Sequence, residues 1–255
     1  MLLLLAALVS VRAYDLTLAV ISNNRLSSLR RLCASLSRLE NPEGIVAHLS
    51  FNLEASSSTE LLDFVYSFEW PHGHKHIKKR VQQGGLITAV MESWYPSSNQ
   101  NYGMFLEDDV EVSPLALRWV HHMLSLYQSG EFRSSLSERI IGIALYSPRV
   151  TETSTPKEAF NSTEMSELAT GIPSYPYLMQ TPCSWGAVYF PRPWRLFVDY
   201  LDDMARSSVS SGPAVTKLNT AQALQAALSV HVPRSSTNGW KGNVCLNDPS
   251  MDQSA

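Results

Sequence analysis

The sequence predicts an α/β fold with a mostly parallel central sheet flanked by helices. Three observations predict it. From residue 16 onward, short β-forming runs alternate with helix-periodic segments, and a β-α-β-α order implies parallel strands joined by crossover helices. Turn-forming clusters such as Asn41-Pro42-Glu43-Gly44 separate the runs. The chain has 255 residues, 44% of them hydrophobic and 17% charged, enough to bury a full core with no metal or disulfide staple.

The elements follow in order. Leu16 to Ile21 is the first strand, ended by the polar turn Ser22-Asn23-Asn24-Arg25. Leu26, Leu29, Leu32, Leu36 and Leu39 recur at helical spacing, so 26–39 reads as a helix. Ile45 to Leu53 is the second strand, and Ser57 with Glu60 forms a capping box for a helix reaching about Phe68. Gly85 to Trp94 reads as helical and Tyr102 to Leu106 as a buried strand. Ser113 as N-cap and Pro114 at the first helical position open a helix to about Ser129. Ile140 to Tyr146 is another buried strand. The stretch 147–182, rich in Pro, Ser and Thr, reads as a long loop with a short helix near Glu164. Trp185 to Phe190 is a late strand, and Trp194 to Arg206 the helix after it.

Residues 1–13 read as a signal peptide or remnant anchor, 14–240 as one domain and 241–255 as an irregular tail. The apolar leader is shorter than the ~20 residues needed to span a bilayer, and Val11-Arg12-Ala13 resembles a cleavage site. It lacks a basic n-region, so a clipped anchor or a misassigned start stays open, and any membrane association is expected through this leader alone. With the sequon Asn161-Ser162-Thr163, it sets the expectation of a secretory or Golgi lumen, with the cytoplasm as the alternative. A net charge of −3 lacks the basic footprint of a nucleic-acid binder. Cys33, Cys183 and Cys245 are odd in number and have no CxxC spacing, so they read as three separate thiols; a Cys183–Cys245 bridge stays open for a secreted chain.

The most informative stretch is Phe105-Leu106-Glu107-Asp108-Asp109. A buried strand delivers three carboxylates at its C-terminal end, the edge at which open α/β sheets bind ligands. Crowded carboxylates repel one another unless a cation sits among them, and oxygen ligands of this kind suit Mg or Mn. Alternation along an extended segment puts Glu107 and Asp109 on one face and points Asp108 elsewhere, towards a ribose. The competing reading is a solvated acidic turn before a helix.

Other candidates are weaker. His72, His74 and His76 would point one way on a strand and could form a Zn pair, but an exposed basic loop is the favoured reading. Lys79 or Arg80 could face a diphosphate. Asp199, Asp202 and Asp203 read as solvated positions on a helix face, and no catalytic base is identified.

Several segments carry a resemblance. Val20-Ile21-Ser22-Asn23-Asn24-Arg25 resembles the first strand and turn of family-2-like glycosyltransferases, and Glu107-Asp108-Asp109 is similar to the acidic metal motif of GT-A enzymes. Trp70-Pro71-His72-Gly73, Gln83-Gly84-Gly85-Leu86, Glu92-Ser93-Trp94-Tyr95-Pro96, Leu106 to Pro114, Cys183-Ser184-Trp185-Gly186 and Thr237-Asn238-Gly239-Trp240 look like a eukaryotic, plant-represented group of glycosyltransferase-like proteins. The resemblance spans roughly residues 15 to 240 in matching order. It implies a GT-A-like domain, a nucleoside-diphosphate-sugar donor, a Mn or Mg ion, and a glycan, protein or lipid acceptor. Residue by residue, Ser22, Asn23 and Arg25 would lie near the nucleotide, and Glu107 and Asp109 would hold the metal. Gly84 and Gly85 would start a helix close to the donor, and Trp185 and Gly186 would wall its pocket.

Related chains continue past Asn-Gly-Trp with a further helix and strand and carry a late His ligand. Neither has a counterpart here, which reads as C-terminal truncation and brings in a catalytically inactive, glycan- or partner-binding relative as the alternative. A sugar nucleotidyltransferase needs a Gly-rich loop after the first strand, and Asn23-Asn24-Arg25 has no Gly.

Overall fold

The computed structural model describes residues 13–129, 140–146, 149–150, 155–171, 177–179, 186–211 and 244–247. The opening β-α-β-α pattern is present as read. It comprises β1 (Tyr14–Ser22), α1 (Leu26–Leu36), β2 (Ile45–Leu53) and α2 (Thr59–Ser67). Helix α2 is capped by Ser58, whose hydroxyl accepts from the Leu61 amide, and not by Ser57. Then follow β3 (Lys75–Lys79), α3 (Gly85–Ser93), β4 (Asn101–Glu107), α4 (Ala116–Ser129) and β5 (Ile140–Ala144). The remainder is α5 (Ser162–Thr170), β6 (Tyr177–Met179), β7 (Ala187–Tyr189), α6 (Pro191–Ser211) and β8 (Val244–Asn247).

The eight strands form one sheet in the order β3-β2-β1-β4-β7-β5-β8-β6. β3, β2, β1 and β4 run parallel. Beyond β4 the sheet is mixed: β7 is antiparallel to both β4 and β5, β8 is parallel to β5, and β6 is antiparallel to β8. Three strands had no counterpart in the sequence reading. β3 lies in the stretch read as a basic loop, β6 in the stretch read as a long loop, and β8 within 241–255.

The pleat of β1 explains the two cores. Leu16, Leu18 and Val20 face one way and pack with Leu29, Leu32 and Leu36 of α1, Leu61 and Val65 of α2, and Val120 and Leu124 of α4. Ala19 and Ile21 face the other way and meet Ala89 of α3, Phe105, Trp94 and Trp194. The Trp194 ring lies 4.8 Å from Phe105, 5.1 Å from Tyr189 and 5.7 Å from Trp94, so α6 is fastened over β4 and β7 by an aromatic cluster. Cys33 is a buried free thiol, pushed up to about 12 by burial. No helix among the described residues is long and apolar enough to cross a membrane.

Candidate functional site

Four parallel strands put their C-terminal ends on one edge, and the register fixes what meets there. Ser22 pairs with Leu53, Leu53 with Lys79, and Ile21 with Glu107. The next residues along, Asn23, Glu54, Arg80 and Asp108, therefore form a polar row across the edge.

Asp108 is the innermost member. Its side chain has no solvent access, and Oδ2 accepts from the Ser22 hydroxyl at 2.7 Å and from the Asn23 amide at 3.4 Å. Arg25 Nη2 lies 2.5 Å from the other oxygen, Oδ1, without the alignment of a hydrogen bond. Arg25 Nη1 donates to Asp109 at 2.8 Å, so one guanidinium bridges both aspartates. The expectation that Asp108 points at a ribose is not what the structure shows, because this carboxylate is turned inward and engaged by the β1 turn. Glu107 is half-buried, and its carboxyl is raised above the usual range by burial and by Asp109 and Asp108, against the lowering effect of Arg25. Asp109 is 44% exposed.

Asparagines hold the β1 turn in place. Asn24 adopts φ 58°, a left-handed conformation that Asn tolerates, and its Oδ1 accepts from the Ser58 amide at 2.9 Å. Asn23 Oδ1 accepts from the Ser56 hydroxyl at 2.9 Å. The turn after β1 is thereby tied to the turn after β2.

Gly84 and Gly85 open α3 at the same edge. The Gly84 amide donates to the buried Glu54 carboxylate at 3.3 Å, so the α3 N-terminus already faces a negative charge of the protein itself. A Cβ on Gly84 would lie 2.5 Å from Arg80 Nη1, and Gly85 has φ 74°. Arg80 is held by the Thr88 carbonyl at 2.8 Å and by Glu92 at 2.5 Å, and Lys79 Nζ donates to the Ser57 carbonyl at 3.3 Å. Glu54 is a site residue that sequence reading missed. Only its place one step past an apolar strand marks it, the same signal that marked Glu107.

Gly186 sits beside the acidic end of β4. Its amide donates to the Phe105 carbonyl at 3.2 Å, with φ 67°, just before β7 turns antiparallel. Trp185 and Asn238-Gly239-Trp240 lie outside the described residues. The structure thus brings Ser22, Asn23, Arg25, Gly84, Gly85, Glu107, Asp108, Asp109 and Gly186 to one edge. Asp199, Asp202 and Asp203 are exposed on α6. His74 and His76 lie on the sheet face near the opposite end, and no cluster of three metal-ligating side chains is present among the described residues.

Glu107 and Asp109 suit a divalent cation in chemistry: hard oxygens, mutually repelling, beside a partly exposed surface. Arg25 now supplies the positive charge there, so a metal ion would have to displace it from Asp109.

The fold and this edge define an α/β domain with an acidic cluster at the carboxyl ends of its parallel strands. Residues 24–211 match the family described as the SPBC1E8.03c C-terminal domain, and the chain belongs to that family. A search of curated proteins finds no match. Among solved structures, residues 1–349 of S. aureus TarS are similar at 11% identity, over 71% of this chain and 48% of that one, with a TM-score of 0.42. The same protein in complex with UDP-GlcNAc gives 10%, 71%, 46% and 0.42. The mannosyltransferase PcManGT from Pyrobaculum calidifontis, in complex with GDP-Man and Mn2+, gives 9%, 54%, 39% and 0.38. The chain spans less than half the length of each of these.

Proposed function

We propose that the chain is a glycosyltransferase domain taking a nucleoside-diphosphate sugar at the carboxyl edge of β1–β4. The observation that carries this reading is the convergence of the β1 turn and the Glu107-Asp108-Asp109 motif, joined through Ser22, Asn23 and Arg25. The motif resemblance along residues 15 to 240 supports it. In this reading Ser22, Asn23 and Arg25 border the nucleotide, and Glu107 and Asp109 hold Mn or Mg. Asp108 is a positioning residue that fixes the turn. The cation would supply neutralisation of the leaving diphosphate. With Glu107 and Asp109 holding the cation, Arg25 would no longer be needed to neutralise Asp109, and its guanidinium would be available to an anionic group of the donor.

A second reading rests on the Arg25 bridge itself. A guanidinium already neutralising two carboxylates fits a metal-independent protein that binds without turnover. Calorimetric titration of UDP and GDP, with and without Mn, for wild type and Asp109→Ala separates the two. Metal-dependent binding of one nucleotide, lost in Asp109→Ala, is the expected result. Binding indifferent to Mn and to Asp109→Ala would favour the second reading, and no binding of either nucleotide would remove the donor site from both.

A further inference from the structure

The same strands that end in carboxylates begin in a different kind of site. On the sheet face shared with Ala19 and Ile21, the side chains nearer the strand N-termini are polar. Asp15 and Thr17 come from β1, His48 and Ser50 from β2, and His76 and Lys78 from β3. The register aligns them, pairing Thr17 with His48, Ser50 with His76, and Asp15 with Asn101 at the start of β4. They floor a cavity of ≈ 340 Å³, within the size range of small-ligand sites. The segment after α3 forms one wall, with Trp94 buried and Tyr95 57% exposed. Asp15 and Ser22 are seven residues apart on one strand, so the Asp15 side of the cavity lies roughly 23 Å from the carboxyl edge at ~3.3 Å per residue, while Lys78, paired with Asn52, lies one residue short of that edge on β3.

Every described lining residue is polar or aromatic, with no aliphatic side chain among them. One buried oxygen in this lining, Ser50 Oγ on a residue only 2% exposed, has no hydrogen-bond partner among the described residues. A buried polar atom left unpaired costs about 1–3 kcal/mol, so the Ser50 hydroxyl is a group that a hydroxylic ligand entering the cavity would pair. The neighbouring groups are mixed in kind. His48 Nδ1 accepts from the His74 amide at 3.0 Å, leaving Nε2 to carry the proton 3.3 Å from Asp15. Asn101 accepts from the Trp94 indole at 3.0 Å and donates to Thr17 at 3.3 Å. Lys78 Nζ reaches the Ser93 carbonyl at 3.4 Å.

We propose that this cavity is a second, non-catalytic site for a carbohydrate, with the unpartnered Ser50 hydroxyl and the His48-paired Asp15 carboxylate bonding its hydroxyls and Tyr95 packing against a ring face. Hydroxyls donate and accept at once, as a lone serine hydroxyl beside carboxylate, imidazole and amide groups requires. A ring's C–H face suits the exposed phenol at the rim. A simple anion fits less well, because Asp15 opposes it and Lys78 already leans on a carbonyl. The proposal is independent of the reading of the carboxyl edge.

The test is a glycan array of neutral and acidic oligosaccharides, probed with the full chain as wild type, Tyr95→Ala, Asp15→Asn and, as control, Asp109→Ala. Near-ultraviolet circular dichroism would confirm that each variant is folded. The expected result is a wild-type glycan signal retained in Asp109→Ala and roughly tenfold or more weaker in both Tyr95→Ala and Asp15→Asn, a loss of ~1.4 kcal/mol or more. A signal that falls only in Asp109→Ala would place the sugar at the carboxyl edge and overturn the proposal. So would the absence of any glycan signal, or wild-type binding abolished by inorganic phosphate.

Discussion

The two ends of the parallel strands differ in how they handle charge. At the carboxyl edge, Glu54, Glu107, Asp108 and Asp109 stand against Arg25 and Arg80, four carboxylates against two guanidiniums, and turn and side-chain bonds lock the row. In the cavity, which runs from Asp15 at the amino end to Lys78 near the end of β3, these two are the charged groups, among hydroxyls, an amide and imidazoles. One end has excess negative charge, and the cavity has an unpaired buried hydroxyl, Ser50 Oγ. The lesson is that direction, more than composition, separates sites on a parallel sheet. The register that gathers Asp108 beside Ser22 at the ends of β4 and β1 also gathers Ser50 beside His76 in β2 and β3, back from that edge.

The variant that breaks this comparison most severely is Gly103→Ala. Gly103 lies in β4 beneath Trp94, and a Cβ there would stand 2.3 Å from the indole Cδ2. Trp94 walls the amino-end cavity and packs 6.1 Å from Phe105. Rigid aromatic atoms cannot yield as a flexible side-chain tip does, so we expect a loss of about 3 kcal/mol, the upper end for overpacking. Urea denaturation measures it, and a wild-type midpoint would show that the β4–Trp94 contact is looser than described. Ser22→Ala comes next and touches only the carboxyl edge. It removes the 2.7 Å donor from a carboxylate with no solvent access and leaves the longer Asn23 amide contact. Losing a charge-assisted hydrogen bond of this kind costs about 1.5–3 kcal/mol. The same urea titration should show that loss while binding at the amino-end cavity is unchanged.

The carboxyl edge was far more legible in the sequence than the amino-end cavity. An apolar strand running into Glu107-Asp108-Asp109 announces its own direction, and the Ser22-Asn23-Asn24-Arg25 turn is contiguous with its strand. The parallel half of the sheet was readable for the same reason: each strand and its crossover helix are neighbours in sequence. Glu54 escaped notice because a single carboxylate after a strand looks like any loop residue. β3 escaped because Lys75-His76-Ile77-Lys78-Lys79, at the edge of the sheet, buries too little to show an apolar pattern. With β3 read as a loop, His76 and Lys78 could not be set beside Ser50, and the cavity could not be assembled. β7 looked like one more strand, but nothing in three buried residues states that it runs antiparallel. Ser57 and Ser58 both offer a hydroxyl to α2, and only the backbone, extended at Ser58, decides which one caps it.

The smallest effect, and the one that sharpens the contrast most, is a difference in the sign of pH dependence. Burial raises the Glu107 carboxyl, with Asp109 and Asp108 adding to the rise. The folded state then holds a proton that the unfolded chain has lost, so stability is fully present below about 4.5 and falls as pH climbs through the raised value. Burial lowers His48, against the opposing pull of Asp15 and helped by His74 and His76. There the unfolded chain holds the extra proton, so stability is fully present above about 6.5 and falls as pH drops through the lowered value. Urea titrations across pH, with chelator present, should show Glu107→Gln flattening the decline on the carboxylate side and His48→Gln flattening the acid-side loss near the histidine range. Mn added in excess should reverse the Glu107 limb alone, since a cation favours the ionised carboxylate and adds stability by binding the folded state. If Mn instead altered the His48 limb, the metal would be at the amino-end cavity, and the division of labour between the two ends would be wrong.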